Sequence, residues 1–391
     1  MTRPVPTVAG DLRPLEVASG VVFGRDPRRP SFARRSPLTP LVALEQTLIP
    51  ALSRAPCVVA FSGGRDSSAL LAVAVRVARR EGLPEPIPAT LRFPEARDTD
   101  EDAWQEEVVR RLGCGDWARL TFTDELDLVG PVARRVMASE GLPYPYNLHL
   151  LLPLIEAGRG GAFVTGMGGD QSLFAAGRPL DVLARRTRPV RRDAVRIAAA
   201  AAPRTLRRIG LRGRVGLHFP WMSEAGNDAL ARGWVGEEAR RPLRWNARLR
   251  EMWRSRFMQL SVERIASLAR HADVRAVHPF ADPAFLAALA AEAGSRGFRD
   301  RSAAMAALFA GDLPERVVRR STKASFNEVL WNRHAQRFAG GLTADRLAPV
   351  LRALDLDELV DAAALSQHWQ EPAPLANSFL LFQACWLAGT R

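Results

Sequence analysis

The chain has 391 residues, of which 47% are hydrophobic and 25% are charged; these values exclude a disordered or fibrous protein and allow one large domain or two ordinary ones. Its formal net charge of +13 favours a nucleotide, a nucleic acid or an acidic partner, although ordinary proteins of an arginine-rich proteome carry similar charge. Its three cysteines are far apart and lack CxxC spacing, which excludes a disulfide framework and a cysteine zinc site and fits a reducing cytoplasm.

The first 45 residues are rich in proline and arginine, and we expect them to form an N-terminal arm. Their one extended stretch, "SGVVFG" (19–24), predicts at most a vestigial hairpin. No apolar core of a signal peptide follows Met1, and no apolar run approaches the 18 residues that span a bilayer. We therefore expect a cytoplasmic protein without a membrane partner.

From about residue 45 the pattern alternates between short β-branched runs and amphipathic stretches. This alternation predicts an α/β fold with a doubly wound parallel sheet, in which ligands bind at the carboxyl ends of the strands. The predicted strands are 57–61, 87–93, 117–122 and 161–166, and the predicted helices are 66–82, 100–113, 124–139 and 147–157.

After about residue 178 the strand pattern disappears, and we predict mostly helices through to residue 310. The chain is thus divided into an arm (1–45), an α/β nucleotide-binding core (46–178) and a mostly helical part of the same domain (179–391). Residues 185–214 are rich in arginine and alanine. A solvated helical face is favoured there over a surface for an acidic partner.

The stretch "VVAFSGGRDSSALL" (58–71) leads from a strand into a helix through two glycines. Gly63 and Gly64 let the backbone approach an anion, and the free N–H groups of the helix start point at it. Ser62 and Ser67 add hydroxyl donors. Asp66 fits an anion site if Mg²⁺ bridges phosphate and carboxylate. The spacing is not that of a GxxxxGK[ST] loop, and the alternative is a tight turn with a capping residue.

A second glycine-rich turn follows the predicted strand 161–166. Gly166, Gly168 and Gly169 precede Asp170, which repeats the arrangement of the first loop. Asp170 and Asp66 could face each other across the crevice and hold Mg²⁺ beside the phosphates of ATP. The alternative for Asp170 is a helix N-cap.

Four segments resemble a known family. "SGGRDSS" resembles the loop of the PP-loop ATP pyrophosphatases, which cleave ATP between the α- and β-phosphates. "FVTGMGGDQSLF" (163–174), "VRAVHPFADPAFLAALA" (274–290) and "LPERVVRRSTKASFNEVLW" (313–331) resemble, in family order, three further segments of the asparagine synthetases. The resemblance covers residues 45–335 and indicates a synthetase domain of this family, with a PP-loop α/β core and an extensive helical C-terminal lobe.

The resemblance implies a ligase that uses ATP and Mg²⁺, with Asp66 and Asp170 as the metal ligands. It places Lys323 as the catalytic lysine, and Arg320 could assist on phosphate. Lys323 is the only lysine among 55 basic residues, and a random leftover would fall on this one position with a chance of about 1 in 55. The residues implied for ATP binding are Phe61, Ser62, Gly63, Gly64, Asp66, Ser67, Ser68, Leu91, Gly166, Gly168 and Gly169.

The sequence departs from the family at several positions. Residue 2 is Thr, where the family has an N-terminal cysteine nucleophile, and about 45 residues precede the synthetase segments. We therefore expect that the chain does not itself hydrolyse glutamine, so that its amine is ammonia, an amine from a separate glutaminase, or an amine of the substrate. Gln171 replaces the glutamate of GGDE, and only Asp273 lies near the position of the substrate-binding glutamate, which counts against aspartate as the substrate.

The favoured hypothesis is a ligase that adenylates a small-molecule or peptide carboxylate, releases pyrophosphate and transfers the acyl group to an amine. A plain asparagine synthetase competes with a specialised relative, such as a lasso peptide cyclase acting on a precursor peptide or a β-lactam synthetase-like enzyme. For the latter, Tyr144 and Tyr146 are the only tyrosines, and no Tyr–Glu base is evident. A tRNA-modifying PP-loop enzyme is disfavoured, as are nucleic-acid partners, because paired cysteines are missing. A scaffold without activity is the remaining alternative.

Two further groups of residues are interpreted as structural. Glu101 lies near a position that is often acidic in the family, but an acidic residue at a helix N-terminus explains it equally well. His149, His278 and His334 are scattered along the sequence.

Overall fold

In the computed structural model, the described residues are 11–29, 31–173, 182–183, 188–211, 217–320 and 324–389. The first part of the chain alternates between helices and strands. Its elements are α1 (Pro14–Ser19), α2 (Pro40–Leu52), β1 (Cys57–Ala60), α3 (Arg65–Glu81), β2 (Ile87–Arg92), α4 (Asp102–Leu112), β3 (Ala118–Thr121), α5 (Pro131–Glu140), α6 (Leu152–Glu156), β4 (Ala162–Val164) and α7 (Gly169–Ser172).

The later part of the chain contributes one more strand among many helices. Its elements are α8 (Asp193–Ala201), α9 (Arg204–Leu211), α10 (Glu224–Arg240), α11 (Trp245–Trp253), α12 (Arg256–His271), β5 (Arg275–Val277), α13 (Pro283–Ala293), α14 (Arg301–Phe309), α15 (Glu315–Val318), α16 (Asn327–Leu330), α17 (Arg333–Gly340), α18 (Ala344–Ala353), α19 (Ala362–Trp369) and α20 (Phe379–Gly389). Short 3-10 helices cover Arg97–Thr99, Leu148–Leu151, Pro279–Ala281 and Ala376–Ser378.

The five strands form one parallel sheet in the order β3-β2-β1-β4-β5, which confirms the predicted α/β fold class. β1 is central, and its residue Val59 lies opposite Pro88 of β2 and Val164 of β4. Because the chain order reverses on either side of β1, its carboxyl end and that of β4 form the crevice where such sheets bind ligands.

Both faces of the sheet are covered, which explains why its central strands are apolar along their whole length. Val59 and Val164 pack into a core with α2, α3 and α13, whereas Val58 and Phe163 pack into a core with α5, α6 and α12. A third core, rich in aromatic side chains such as Trp331 and those of α20, holds the C-terminal helices together.

Two predictions are wrong in the described residues. β5 comes from the part predicted to be mostly helical, where no strand was expected; it pairs in parallel with β4. The stretch 19–24 forms no strand: α1 ends at Ser19, and Gly20 follows it with φ +66°. Since Trp221 Nε1 donates to the Ala18 carbonyl at 2.9 Å, this arm packs on the helical part.

In the described part of the chain, no helix combines the length and apolarity needed to cross a bilayer.

Candidate active site

The loop between β1 and α3 is held in place by its own serines. Ser62 N donates to Ser67 Oγ at 3.2 Å, and the two hydroxyl oxygens lie 3.1 Å apart. Gly64 caps the start of α3 without a side-chain hydrogen bond. The first N–H groups of α3 are therefore not covered by a capping side chain, and they point their partial positive charge out of the loop.

Gly63 is required at its position for two reasons. Its φ is +79°, in the region that only glycine adopts at little cost. A Cβ atom there would also lie 2.8 Å from Gln105 Cγ. Gln105 itself donates from Nε2 to the Ser62 carbonyl at 3.2 Å, so that α4 fixes the loop from the side opposite α3.

The second glycine-rich loop joins β4 to α7 and touches the first. Gly168 has φ +93°, and a Cβ atom on it would lie 3.0 Å from the Phe280 carbonyl oxygen. A Cβ atom on Gly169 would lie 2.4 Å from Asp66 Oδ2. The sequence Gly168-Gly169 therefore lets the second loop approach Asp66 closely.

Arg301, at the start of α14, joins the two aspartates. Its Nη2 donates to Asp66 Oδ2 at 2.6 Å, and its Nη1 forms an ion pair with Asp170 Oδ1. Burial raises the pKa of the Asp66 carboxyl, and the charge of Arg301 opposes this rise. The sequence pattern does not indicate Arg301, because the contact joins residues 235 positions apart.

A second arginine adds positive charge beside the aspartates. Arg65, the first residue of α3, donates from Nη1 to Ser302 Oγ at 3.1 Å. Burial and then the charge of Arg301 lower the pKa of Arg65. The crevice between the loops therefore presents two guanidinium groups and two carboxylates, which suits a ligand that carries both phosphate and a divalent cation.

The carboxylates fit the Mg²⁺ ion that the sequence predicts. Asp66 Oδ1 is buried and has no hydrogen-bond partner among the described residues, and such an orphaned anionic oxygen is stabilised by a cation. The described residues contain no group of three or more His, Cys, Asp or Glu side chains that could hold a metal. The protein would thus supply Asp66 and Asp170, and phosphate and water oxygens would complete the coordination.

A model of the asparagine synthase family matches residues 44–386. The chain belongs to the asparagine synthase family. No curated protein gives a significant match to it. The match covers all four sequence segments and most of the described helices, and it confirms the resemblance. The members of this family are ATP-dependent amide ligases.

Arg320, in the last of the family segments, contacts the loop between β1 and α3. Its Nη1 donates to the Gly63 carbonyl at 2.9 Å, its Nη2 pairs with Glu101, and its guanidinium lies 4.8 Å from the centre of the Trp104 ring. The side chains of Arg320 and Glu101 are only 3% and 7% exposed. Glu101 therefore does more than favour a helix N-terminus: it neutralises a buried arginine that supports the loop.

Lys323 lies outside the described residues, together with Ser321 and Thr322, so its role stays a prediction. Beyond these residues, Ser325 N donates at 3.0 Å to the carbonyl of Asp98, in the 3-10 helix that precedes Glu101. On the other side, Arg320 contacts Gly63 and Glu101.

The remaining predicted ATP-binding residues have different surroundings. The Phe61 side chain is buried in the core, and its backbone N and O bond to Ala89 O and Thr90 Oγ1 at 2.8 and 2.7 Å. Ser68 is also buried, and its Oγ has no partner among the described residues. Leu91 is half-buried near the end of β2. A Cβ atom on Gly166 would lie 3.9 Å from Asp66 Cβ.

The histidines support the fold around the site. His149 Nε2 lies 2.9 Å from the Leu126 carbonyl oxygen, and burial lowers the pKa of His149 to about 4. His278 Nδ1 lies 2.7 Å from Thr165 Oγ1 at the start of the second loop, and burial lowers the pKa of His278 to about 4. His334 Nε2 lies 2.7 Å from Asp124. These contacts agree with the interpretation of all three as structural residues.

Proposed function

We propose that the protein adenylates a carboxylate with ATP, releases pyrophosphate and transfers the acyl group to an amine. The observation that carries this proposal is the meeting of two glycine-rich strand-to-helix loops, with Asp66 and Asp170 both bonded to Arg301. In the first step a carboxylate oxygen attacks the α-phosphorus and pyrophosphate leaves. In the second the amine attacks the acyl carbon, AMP leaves and the amine loses a proton.

The residues of the loops have separate roles in this proposal. The N–H groups of the α3 start and the hydroxyls of Ser62 and Ser67 bind the departing pyrophosphate. Arg65 and Arg301 neutralise charge on the phosphates. When bound, Mg²⁺ would be held by Asp66 and Asp170 and would supply charge neutralisation for the leaving group.

Lys323 is proposed to place a compact positive charge near the α-phosphate and the oxyanion that develops at the acyl carbon. Arg320 is proposed to act through the loop: by holding Gly63, it fixes the N–H groups that face the phosphates. This makes Arg320 a positioning residue, in place of the direct phosphate contact that the sequence suggested.

The test is pyrophosphate release by the purified protein with ATP, Mg²⁺, an amine and a panel of small-molecule and peptide carboxylates. Carboxylate-dependent exchange of labelled pyrophosphate into ATP reports the first step alone. We expect wild-type exchange with at least one carboxylate and a loss of at least about a hundredfold in Asp66→Asn, because the altered side chain no longer carries the charge that holds the metal. Asp116→Asn, at an exposed carboxylate, should match wild type.

Two outcomes would contradict the proposal. Release of inorganic phosphate and ADP in place of pyrophosphate would show a different cleavage of ATP. Wild-type exchange in a folded Asp66→Asn protein would show that this carboxylate holds no metal that the reaction needs.

A further inference from the structure

An open groove of about 1100 Å³ lies between the N-terminal arm and α11, apart from the residues assigned above. Five of its lining residues are arginines: Arg34, Arg35, Arg244, Arg250 and Arg254. We call these five the arginine groove. Its one carboxylate, Glu251, forms an ion pair with Arg25. The lining therefore carries a large excess of positive charge.

The arginine groove is unusual because five guanidinium groups without partners of opposite charge among the described residues line one cavity. Within the described ranges, none of the five forms an ion pair. Other arginines do have such partners, as Arg29 has in Glu263 at 2.6 Å and Arg241 has in Glu238 at 3.2 Å. Five like charges that line one cavity repel each other, and an anion in the cavity would relieve this repulsion.

The deeper part of the groove contains unused hydrogen-bond donors. The Nε–H groups of Arg250 and Arg254 are buried and have no acceptor among the described residues. The Arg250 guanidinium lies 5.4 Å from the centre of the Phe32 ring, which helps to hold it in the wall. Burial and then the charge of Arg34 lower the pKa of Arg250, as expected for a guanidinium that lacks a counter-charge.

We propose that the arginine groove binds an acidic segment of a polypeptide. A guanidinium fork matches a carboxylate with two parallel hydrogen bonds, and five forks along a groove fit several carboxylates on one chain. The volume lies just above the usual range of about 300–1,000 Å³ for ligand pockets, so a single phosphate would leave most of it empty. Single-stranded nucleic acid needs exposed rings for base stacking, whereas Phe32, the aromatic side chain in the lining, is only 6% exposed.

The groove also has a structural link to the proposed active site. Glu251 of α11 is part of its wall and of the wall of a second cavity of about 500 Å³, which Asp170 also lines. A peptide that crosses α11 would place its acidic segment in the groove and another part beside Asp170. This link, which would make the peptide the carboxylate substrate, rests on the proposed function; binding in the groove does not.

The test is fluorescence anisotropy with a labelled peptide that contains six consecutive glutamates, at low salt and without ATP. We compare wild type with the triple variant Arg34→Ala/Arg35→Ala/Arg244→Ala, which changes exposed side chains only. The control triple Arg110→Ala/Arg111→Ala/Arg159→Ala removes the same charge at exposed positions elsewhere. We expect the groove triple to bind at least about tenfold more weakly, from three lost surface ion pairs, and the control to bind within about twofold of wild type.

Several results would overturn the proposal. Equal weakening in both triples would show attraction to net charge alone. No measurable binding to wild type would show that the groove does not take an acidic peptide. Tighter binding of a labelled RNA oligomer, lost in the groove triple, would identify nucleic acid as the ligand. Thermal unfolding of each variant confirms that it is folded. The binding assay contains no ATP, so a failure to bind the peptide would not count against the proposed function, which pyrophosphate exchange tests separately. If exchange were lost, peptide binding could still be measured.

Discussion

The guanidinium of Arg301 lies between two carboxylates that would otherwise repel each other across the crevice. Its bonds to Asp66 and Asp170 keep both side chains directed at one point when no other cation neutralises them. The approach of the two loops at Gly169 makes this contact possible. A divalent ion that binds there must compete with Arg301 for the same oxygens, and under the proposed function Arg301 is then available to the phosphates.

For Lys323, the proposed catalytic role can be tested separately from the effect of its positive charge, because arginine keeps the charge and changes the shape of the side chain. In Lys323→Arg the charge is kept, but the planar fork is bulkier and spreads its charge, so it cannot place a compact cation against an oxyanion. We expect turnover to fall at least about a hundredfold, while the free energy of unfolding changes by no more than about 0.5 kcal/mol. Steady-state pyrophosphate release beside thermal unfolding measures both.

The matched control exchanges the same two residue types in the opposite direction. Arg319→Lys lies in the same segment, where the arginine side chain is 73% exposed and pairs with Glu315 at 2.8 Å. It should keep wild-type turnover. Full activity in Lys323→Arg would show that the single lysine is a coding remnant, without a role that arginine cannot fill.

The buried pair of Glu101 and Arg320 predicts a coupled effect on stability and on ATP binding. Glu101→Gln leaves the Arg320 charge buried without its partner, and breaking such a pair typically costs about 3–5 kcal/mol. Because Arg320 also holds the Gly63 carbonyl, we expect the KM for ATP to rise more than kcat falls. Urea unfolding and steady-state kinetics measure the two effects.

A double-mutant cycle tests this coupling. Arg320→Gln combined with Glu101→Gln removes both charges, so the double variant should be more stable than the sum of the single changes implies. Strict additivity would mean that the two side chains do not interact as the structure shows.

At the level of elements, the close approach of the second loop to the 3-10 helix Pro279–Ala281 depends on Gly168. In Gly168→Ala the positive φ costs about 1–2 kcal/mol, and the new Cβ would lie 3.0 Å from the Phe280 carbonyl oxygen. Gly160 is a matched control, since it has φ +78° and a Cβ atom placed there would have no neighbour within 4 Å. We expect Gly160→Ala to show the conformational cost alone, and Gly168→Ala to lose more stability and also pyrophosphate exchange. Equal losses of stability in both would show that the close approach is unimportant.

The elements that the sequence predicted well are those whose burial is visible in local composition. β1 and β4 are buried on both faces and appear as continuous apolar runs, and α3 ends at Glu81 and is capped by Gly82, with φ +65°, as the pattern indicated. β5 could not be found this way, because it has only three residues and begins with the exposed Arg275. It forms a strand because it pairs with the edge of β4, which is a contact between distant parts of the chain.

The candidate site likewise has a part that could be predicted from the sequence and a part that could not. The loops and their aspartates lie in contiguous motifs and were predictable. Arg301 was not, since a guanidinium between Asp66 and Asp170 is set by how α14 packs against the sheet. The partner of Glu101 was likewise hidden, because Arg320 lies 219 positions along the chain.

At the scale of the whole molecule, the buried histidines predict how stability depends on pH. The ordinary pKa of histidine is 6.5, and burial lowers that of His149 to about 4 in the folded protein. Between these pH values the unfolded chain binds a proton that the folded chain does not. Stability therefore falls as the pH falls from 6.5 towards 4, by up to about 1.4 kcal/mol per pH unit for each such histidine.

Urea unfolding between pH 7 and pH 4.5 measures this slope. His149→Gln should flatten it by the contribution of one proton, whereas His218→Gln, at an exposed position, should leave it unchanged. An identical slope in wild type and His149→Gln would contradict the assignment.

The position of β5 also bears on the order in which the chain can fold. β4 and β5 are neighbours in the sheet, yet residues 165–274 separate them in sequence. During synthesis the edge of β4 that later pairs with β5 keeps its N–H and C=O groups unpaired until the chain as far as β5 has emerged. Open strand edges promote aggregation. The Phe280 carbonyl that packs under Gly168 arrives later still. A nascent chain that ends near residue 178 would therefore contain the loop between β1 and α3 but neither the complete sheet nor a supported second loop. If the proposed function is right, a nucleotide could stabilise the protein only after the last strand has docked.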